Sequence, residues 1–230
     1  MRPFTLIATG LTVLCLIAGP ADAGKWFHRG HHEDRIEGSG QFETKTYDLE
    51  GFDSIRIDGV FEIDVRVGDD FAVEVEAEDN LLEYIIVEVR RGELLLDIED
   101  DVDIETDEKF RVQIGMPALV EIDGNGVYDL TATGLDNEMT QIYTEGVGSI
   151  RLEGRTRKLR VECEGVGNAD LRDLVAQEAD VRVEGVGDVH VFVEQDLRAR
   201  VSGLGEITYS GNPDSVDDHV DGFGSIERAD

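Results

Sequence analysis

Apolar and polar residues alternate along most of this chain, and in its C-terminal half a Gly-x-Gly triplet punctuates the alternation at near-constant intervals. The copies are Gly124-Asn125-Gly126, Gly146-Val147-Gly148, Gly165-Val166-Gly167, Gly185-Val186-Gly187, Gly203-Leu204-Gly205 and Gly222-Phe223-Gly224, spaced 22, 19, 20, 18 and 19 residues apart. Four and two residues before them stand Val120/Ile122, Ile142/Thr144, Val161/Cys163, Val181/Val183, Ala199/Val201 and Asp218/Val220. Two and four residues after them stand Tyr128/Leu130, Ile150/Leu152, Ala169/Leu171, Val189/Val191, Ile207/Tyr209 and Ile226/Arg228. Period two on both sides predicts a half-buried strand entering each triplet and another leaving it. The glycines read as the bend, where φ is positive or a Cβ would strike the next coil. The middle residues, Asn125, Val147, Val166, Val186, Leu204 and Phe223, are expected to form one inward column.

A period near 20 residues holds three short strands with their bends. The expected fold is all-β: a right-handed parallel β-helix or solenoid with about 20-residue coils and a less regular N-terminal part. A sandwich of hairpins also fits frequent turn signals. The solenoid is preferred because a hairpin sandwich has no reason to keep one register through six copies. Val, Ile and Thr dominate the patterned stretches, and the four prolines fall outside them.

Residues 1–23 read as a secretory signal peptide: Met1-Arg2, an apolar run from Phe4 to Ala18, and Ala21-Asp22-Ala23 as a small-x-small cleavage site. Residues 24–40 are a flexible lead-in ending in Gly38-Ser39-Gly40. Residues 41–115 form an irregular β cap region, and 116–230 form the Gly-x-Gly solenoid. In the cap region Ser54–Asp58, Phe61–Val67 and Ala72–Glu76 alternate cleanly, and Gly68-Asp69-Asp70 reads as a hairpin-like turn. Asp79-Asn80 before Leu81 and Leu82 reads as the cap of one helical turn. No later stretch approaches the length of a membrane helix, so a soluble exported chain is expected, in the periplasm, on the outer surface or released.

Phe52-Asp53-Ser54-Ile55-Arg56-Ile57-Asp58-Gly59-Val60-Phe61, Asp79-Asn80-Leu81-Leu82-Glu83-Tyr84-Ile85 and Gly92-Glu93-Leu94 resemble the bacterial head GIN domain family. The later triplets and the stretch from Tyr209-Ser210-Gly211-Asn212-Pro213 to Ile226 are similar to it too, so that 41–230 reads as one such domain. The resemblance implies an exported β-helix-like domain of the auto-transporter adhesin type, and carries no site residues with it. No translocating β-barrel stretch precedes Asp230, so the expectation is not a complete autotransporter.

Lys and Arg total 21 against 52 Asp and Glu, for a net charge of −31. Such a chain repels nucleic acid and anionic lipid, which removes both as expected partners. The residue before each triplet is Asp123, Glu145, Glu164, Glu184, Ser202 or Asp221. Stacked about 4.8 Å apart, these form either a solvated acidic face or a ladder bridged by a hard cation. The candidate metal ligands are therefore Glu145, Glu164 and Glu184, with Ca²⁺ as the one cation they suit and no other cofactor indicated. His28, His31 and His32 beside Glu33 and Asp34 suit a transition metal but read as part of the lead-in. Cys163 shares the inward column of Ile122, Thr144, Val183, Val201 and Val220 and reads as a buried small hydrophobe.

No Gly-x-Ser-x-Gly elbow occurs, and no Ser or Cys pairs with a His. The triplets open no helix and are not nucleotide loops. Tyr143, Arg182, Arg200 and His219 share one outward column, the nearest approach to a catalytic face. The leading expectation is a non-catalytic envelope or surface protein, an adhesin or structural module with an acidic solenoid face and a surface glycan or protein as partner. The alternatives are a polysaccharide lyase-like β-helix enzyme, whose mark would be a cleft lined by Asp, Arg or Lys and aromatics, and a periplasmic sensor or partner-binding module.

Overall fold

The computed structural model describes residues 35–100, 102–106 and 108–229. The leader reading and the cluster from His28 to Asp34 lie outside those residues. The first part of the chain supplies β1 (Ile36–Glu37), β2 (Phe42–Tyr47), β3 (Ser54–Ile57), β4 (Val60–Val67) and β5 (Ala72–Glu78). A 3-10 turn at Leu82–Tyr84 leads to β6 (Ile85–Arg90), β7 (Glu93–Ile98), β8 (Ile104–Glu105) and β9 (Phe110–Met116). There follow β10 (Glu121–Gly124), β11 (Val127–Thr144), β12 (Val147–Cys163), β13 (Val166–Val183) and β14 (Val186–Val201). The stack ends in β15 (Leu204–Gly211), β16 (Ser215–Val220) and β17 (Ser225–Arg228).

From β10 onward each strand pairs in parallel with its counterpart one coil away, giving a β-solenoid of about five turns. Parallel register excludes the hairpin sandwich. The strands β11 to β14 run 16 to 18 residues because pairing persists through the bends. Inside, Ile142 lies against Val161, Val161 against Val181 and Val181 against Ala199, and all four are fully buried. Full burial of such side chains stabilises by about 1.5–3 kcal/mol each, which makes these columns the main source of cohesion. Thr140 and Thr156 are also buried; the Thr140 hydroxyl donates to Thr156 (3.2 Å), whose own hydroxyl donates to the Lys158 carbonyl (3.0 Å).

The stack begins earlier than the triplets. The strands β3 and β4 form a coil beneath β10 and β11, with Ile55 opposite Ile122, Val60 opposite Val127 and Phe61 opposite Tyr128. Beyond that coil the pairing changes character. The strand β9 runs parallel to β4 and antiparallel to β5, β2 is antiparallel to β5, and β6 to β7.

The Gly68-Asp69-Asp70 turn is therefore not that of a hairpin, because β9 lies between β4 and β5. Gly68 has φ +98°, and the turn crosses β9 at Gly115, where a Cβ would meet the Asp70 carbonyl oxygen at 2.7 Å. The chain before the sheet is tied down by the buried Glu78 carboxylate, which accepts from the Gly40 amide and the Thr106 hydroxyl, each at 2.7 Å.

Two sequence expectations about the triplets need correction. The first copy is offset by two residues: Gly126, not Gly124, stacks under Gly146, so the true equivalents are Gly59-Val60-Phe61 and Gly126-Val127-Tyr128. The middle residues also point outward. Alternation continues unbroken through the corner, so it is the glycines that face in. A Cβ on Gly146, Gly165 or Gly167 would fall well inside contact distance of a carbonyl oxygen on the preceding coil. Close approach, and not a left-handed backbone, is thus what requires glycine at Gly167, whose φ is not in the positive range.

Gly167→Val should lower stability by about 3 kcal/mol or more, as overpacking against backbone does at its upper end. Val166→Thr, one residue away and outward, should change it by less than about 0.5 kcal/mol. Thermal denaturation of the two variants beside the parent checks both.

Candidate functional site: an apolar corner ridge between acidic columns

Outward positions recur in register on each coil, so each becomes a column. At the corner, Val60, Val127, Val147, Val166, Val186 and Leu204 lie in one parallel ladder and are 45% to 55% exposed. Phe223 continues it, its amide donating to the Gly203 carbonyl (3.1 Å), and is 93% exposed. Each side chain packs sideways on its neighbours and leaves its outer half to solvent. A shallow groove beside this ridge is lined by Phe61, Tyr128, Gly148 and Gly167. Sequence reasoning missed this site. Continuing the period-two count through the triplet would have found it.

The ridge is flanked by carboxylates. On one side Glu145, Glu164 and Glu184 occupy successive rungs, the Glu164 amide donating to Thr144 and that of Glu184 to Cys163, both at 2.8 Å. All three side chains are exposed, and none makes an ion pair among the described residues. Ser202 and Asp221 continue this column. Asp123 does not belong to it, because of the same two-residue offset. Asn125 takes that rung, donating to Asp58 (3.0 Å), while Asp123 lies opposite Tyr143 and 3.4 Å from Arg56. On the other side of the ridge stand Glu62, Asp129, Ser149, Asn168, Asp188 and Glu206, with Lys109 paired to Asp129. Among the described residues no three His, Cys, Asp or Glu side chains converge as metal ligands.

The outward column of Tyr143, Arg182, Arg200 and His219 exists, with Glu162 between the first two. It is cross-braced and not a cleft. Glu162 accepts from Arg160 (2.6 Å) and Arg182 (2.8 Å), Asp180 faces Arg182 (3.3 Å) and Arg198 (3.6 Å), and the Arg160 guanidinium lies over the Tyr143 ring.

A polar groove on the following face holds Arg151, Asp170, Arg172 and His190. Hydrogen bonds from Arg172 hold the Asp170 carboxyl well below the usual carboxylate range, so it stays ionised and cannot serve as a general acid. No aromatic residue lines this groove.

Cys163 is half-buried against the core, in a column with Thr144, Val183, Val201 and Val220; Ile122 lies one column over, and Gly124 takes the rung beside Thr144. Burial pushes its thiol up, against a smaller opposing hydrogen bond with Thr144, which makes it a poor nucleophile.

Fold and surface together define a parallel β-solenoid that displays the same side-chain types coil after coil. The chain belongs to the family described as "Putative auto-transporter adhesin, head GIN domain", whose sequence model matches residues 51–213. Its fold is similar to the crystal structure of "a putative adhesin" from Bacteroides fragilis NCTC 9343, with TM-score 0.73 and 24% identity over 84% of this chain and 100% of that one. It is similar also to "a putative adhesin" from Parabacteroides merdae ATCC 43184, with TM-score 0.52 and 18% identity over 86% of this chain and 100% of that one. A third likeness is to "putative adhesin" from Parabacteroides distasonis ATCC 8503, with TM-score 0.52 and 18% identity over 85% and 100%. At these identities the likeness is one of fold. No curated protein matches the sequence. Among the described residues no helix is long and apolar enough to cross a membrane.

Two measurements test the electrostatics. Burial, then repulsion from Asp123, Glu93 and Asp53, raises the Glu121 carboxyl above the usual range. Its ionised form thus disfavours the folded state at neutral pH, and the penalty disappears as pH falls through the raised folded value to the unfolded one. Glu121→Gln should raise the melting temperature at pH 7 and leave it unchanged below the ordinary carboxylate range. For the Glu145–Glu164–Glu184 column, CaCl₂ and NaCl of equal ionic strength should raise the melting temperature equally, as screening requires. An excess for Ca²⁺ that Glu164→Gln removes would establish a bridged ion instead.

Proposed function

We propose that this chain is an exported, non-catalytic surface or envelope protein of the adhesin type, which holds its partner on the repeated outer columns of an acidic β-solenoid. The observation that carries this reading is the coil-to-coil register of outward side chains. A contact made by one rung is offered again about 4.8 Å further on, so weak contacts add along a line on a frame that need not reorganise. The pattern of residues 1–23 supports export, the net charge of −31 supports an acidic surface, and the family's description supports adhesion. A surface glycan or protein is the partner class these observations suit. The groove at Asp170 offers Asp, Arg and His on one strand face, the residue types of a lyase cleft but without an aromatic platform, which makes lyase activity the reading to test against.

The mature chain, incubated with bacterial envelope fractions and with a panel of acidic and neutral polysaccharides, should bind saturably and leave the polymer length unchanged. Time-dependent release of unsaturated oligosaccharides would make it an enzyme. Absence of binding to every envelope fraction would remove the adhesive reading.

A further inference from the structure

The corner ridge is the largest run of exposed apolar side chains on the described surface, and its surroundings restrict what can cover it. Six rungs at about 4.8 Å separate Val60 from Phe223, a length of about 29 Å. That is the length of an α-helix of about 20 residues. Both flanks carry carboxylates, and in the central part Glu145, Glu164, Glu184, Asp188 and Glu206 make no ion pair among the described residues. On the face that carries Tyr143, Glu162 and Asp180 are braced by arginines instead. Lys109 pairs Asp129 and Arg111 pairs Glu62 at one end of the ridge, but the five central carboxylates stand without a counter-charge among the described residues on either side of the apolar stripe.

We propose that this ridge is the docking surface for a cationic amphipathic helix of a partner protein. The helix would set its apolar stripe along the valines and the adjoining groove, with Lys or Arg on each side meeting the two acidic columns. The proposal rests on reading the chain as a binding module and names the partner chemistry of that module. A second copy of this chain is a poor occupant, because either way of laying ridge on ridge brings acidic columns against acidic columns. An anionic lipid surface meets the same repulsion. The amphipathic helix laid into an apolar groove is a recurrent recognition mode, and here the charge of the rim selects the cationic kind.

The test uses a 20-residue helical peptide with a Leu stripe and Lys flanks, labelled for fluorescence anisotropy. A Leu/Glu helix of the same pattern and a scrambled Leu/Lys peptide are the controls. The Leu/Lys helix should bind and the controls should not. Val166→Ser with Val186→Ser should weaken binding at least about tenfold, as loss of central apolar anchors does. Val166→Thr with Val186→Thr keeps the β-branching and serves if the serine pair does not fold. Glu164→Gln with Glu184→Gln should weaken binding and flatten its salt dependence, whereas Glu153→Gln with Asp173→Asn, off the ridge, should leave it unchanged.

Equal effects of the two charge pairs would mean unspecific polycation adsorption and would overturn the proposal. So would ridge variants without effect. A parent dimer in sedimentation that the ridge variants dissociate, or zwitterionic vesicles that displace the peptide, would assign the ridge to another occupant. Failure of the peptide with envelope binding intact removes the ridge as the site and leaves adhesion standing. Failure of both removes both.

Discussion

At the corner of each coil from Gly146 onward the backbone lies so close to the carbonyl oxygens of the coil before it that no Cβ fits on the inner side. Most of the molecule follows from that contact. Glycine occupies the inner corner positions from Gly146 onward, and the amide between them donates to the preceding coil, as Val166 does to Gly146 and Val186 to Gly165, both at 2.9 Å. The ladder therefore passes round the corner without a break and holds each coil in register with the next. With register held, the inner positions superpose into apolar columns and the outer ones into columns of like chemistry. At the corner the only direction left for a side chain is outward. Aliphatic residues there cannot be buried by their own chain.

The N-terminal coil shows the same constraint met by a different choice of residue. Where later coils carry a second glycine, β4 and β11 carry Phe61 and Tyr128. Both are almost wholly buried, and the Tyr128 ring fills the space a Cβ on Gly124 or Gly148 would need. The rings lie close to where the stack passes from parallel coils to antiparallel strands, since β9 is parallel to β4 and antiparallel to β5. Asp58-Gly59-Val60-Phe61-Glu62-Ile63 and Asn125-Gly126-Val127-Tyr128-Asp129-Leu130 are the same motif in sequence. A search keyed to Gly-x-Gly passes over the first and misreads the second by two residues.

That explains which parts of the structure were legible. Strand content, coil length and the inner columns depend on period and alternation, and those are local. The shift of Asp123 out of the acidic column and the place of Asn125 in it depend on which residues stack, which no single coil reveals. The path of β9 between β4 and β5 was hidden for the same reason: a turn at Gly68 looks alike whether its strands pair with each other or with a third. The outward ridge was legible and was misjudged. Hydrophobicity argued for burial, alternation argued for exposure, and the steric limit at the glycines decides for alternation. An apolar column that the fold cannot cover, flanked in its central part by carboxylates without an ion pair among the described residues, is where this surface departs most from a solvated one.

The central claim is that the middle residues of successive triplets stack in register on adjacent rungs of one column. With Cys15 and Cys163 replaced by alanine, Val147→Cys with Val166→Cys places two outward thiols on neighbouring strands about 4.8 Å apart, within reach of a disulfide. Val147→Cys with Val186→Cys places them two rungs apart, beyond it. Mild oxidation of the folded chain, followed by mass spectrometry of the intramolecular crosslink, should give rapid and near-complete closure of the first pair and none of the second. Failure of the first pair to close, or closure of both pairs alike, would contradict the register on which the ridge, its flanks and the proposed binding mode all stand.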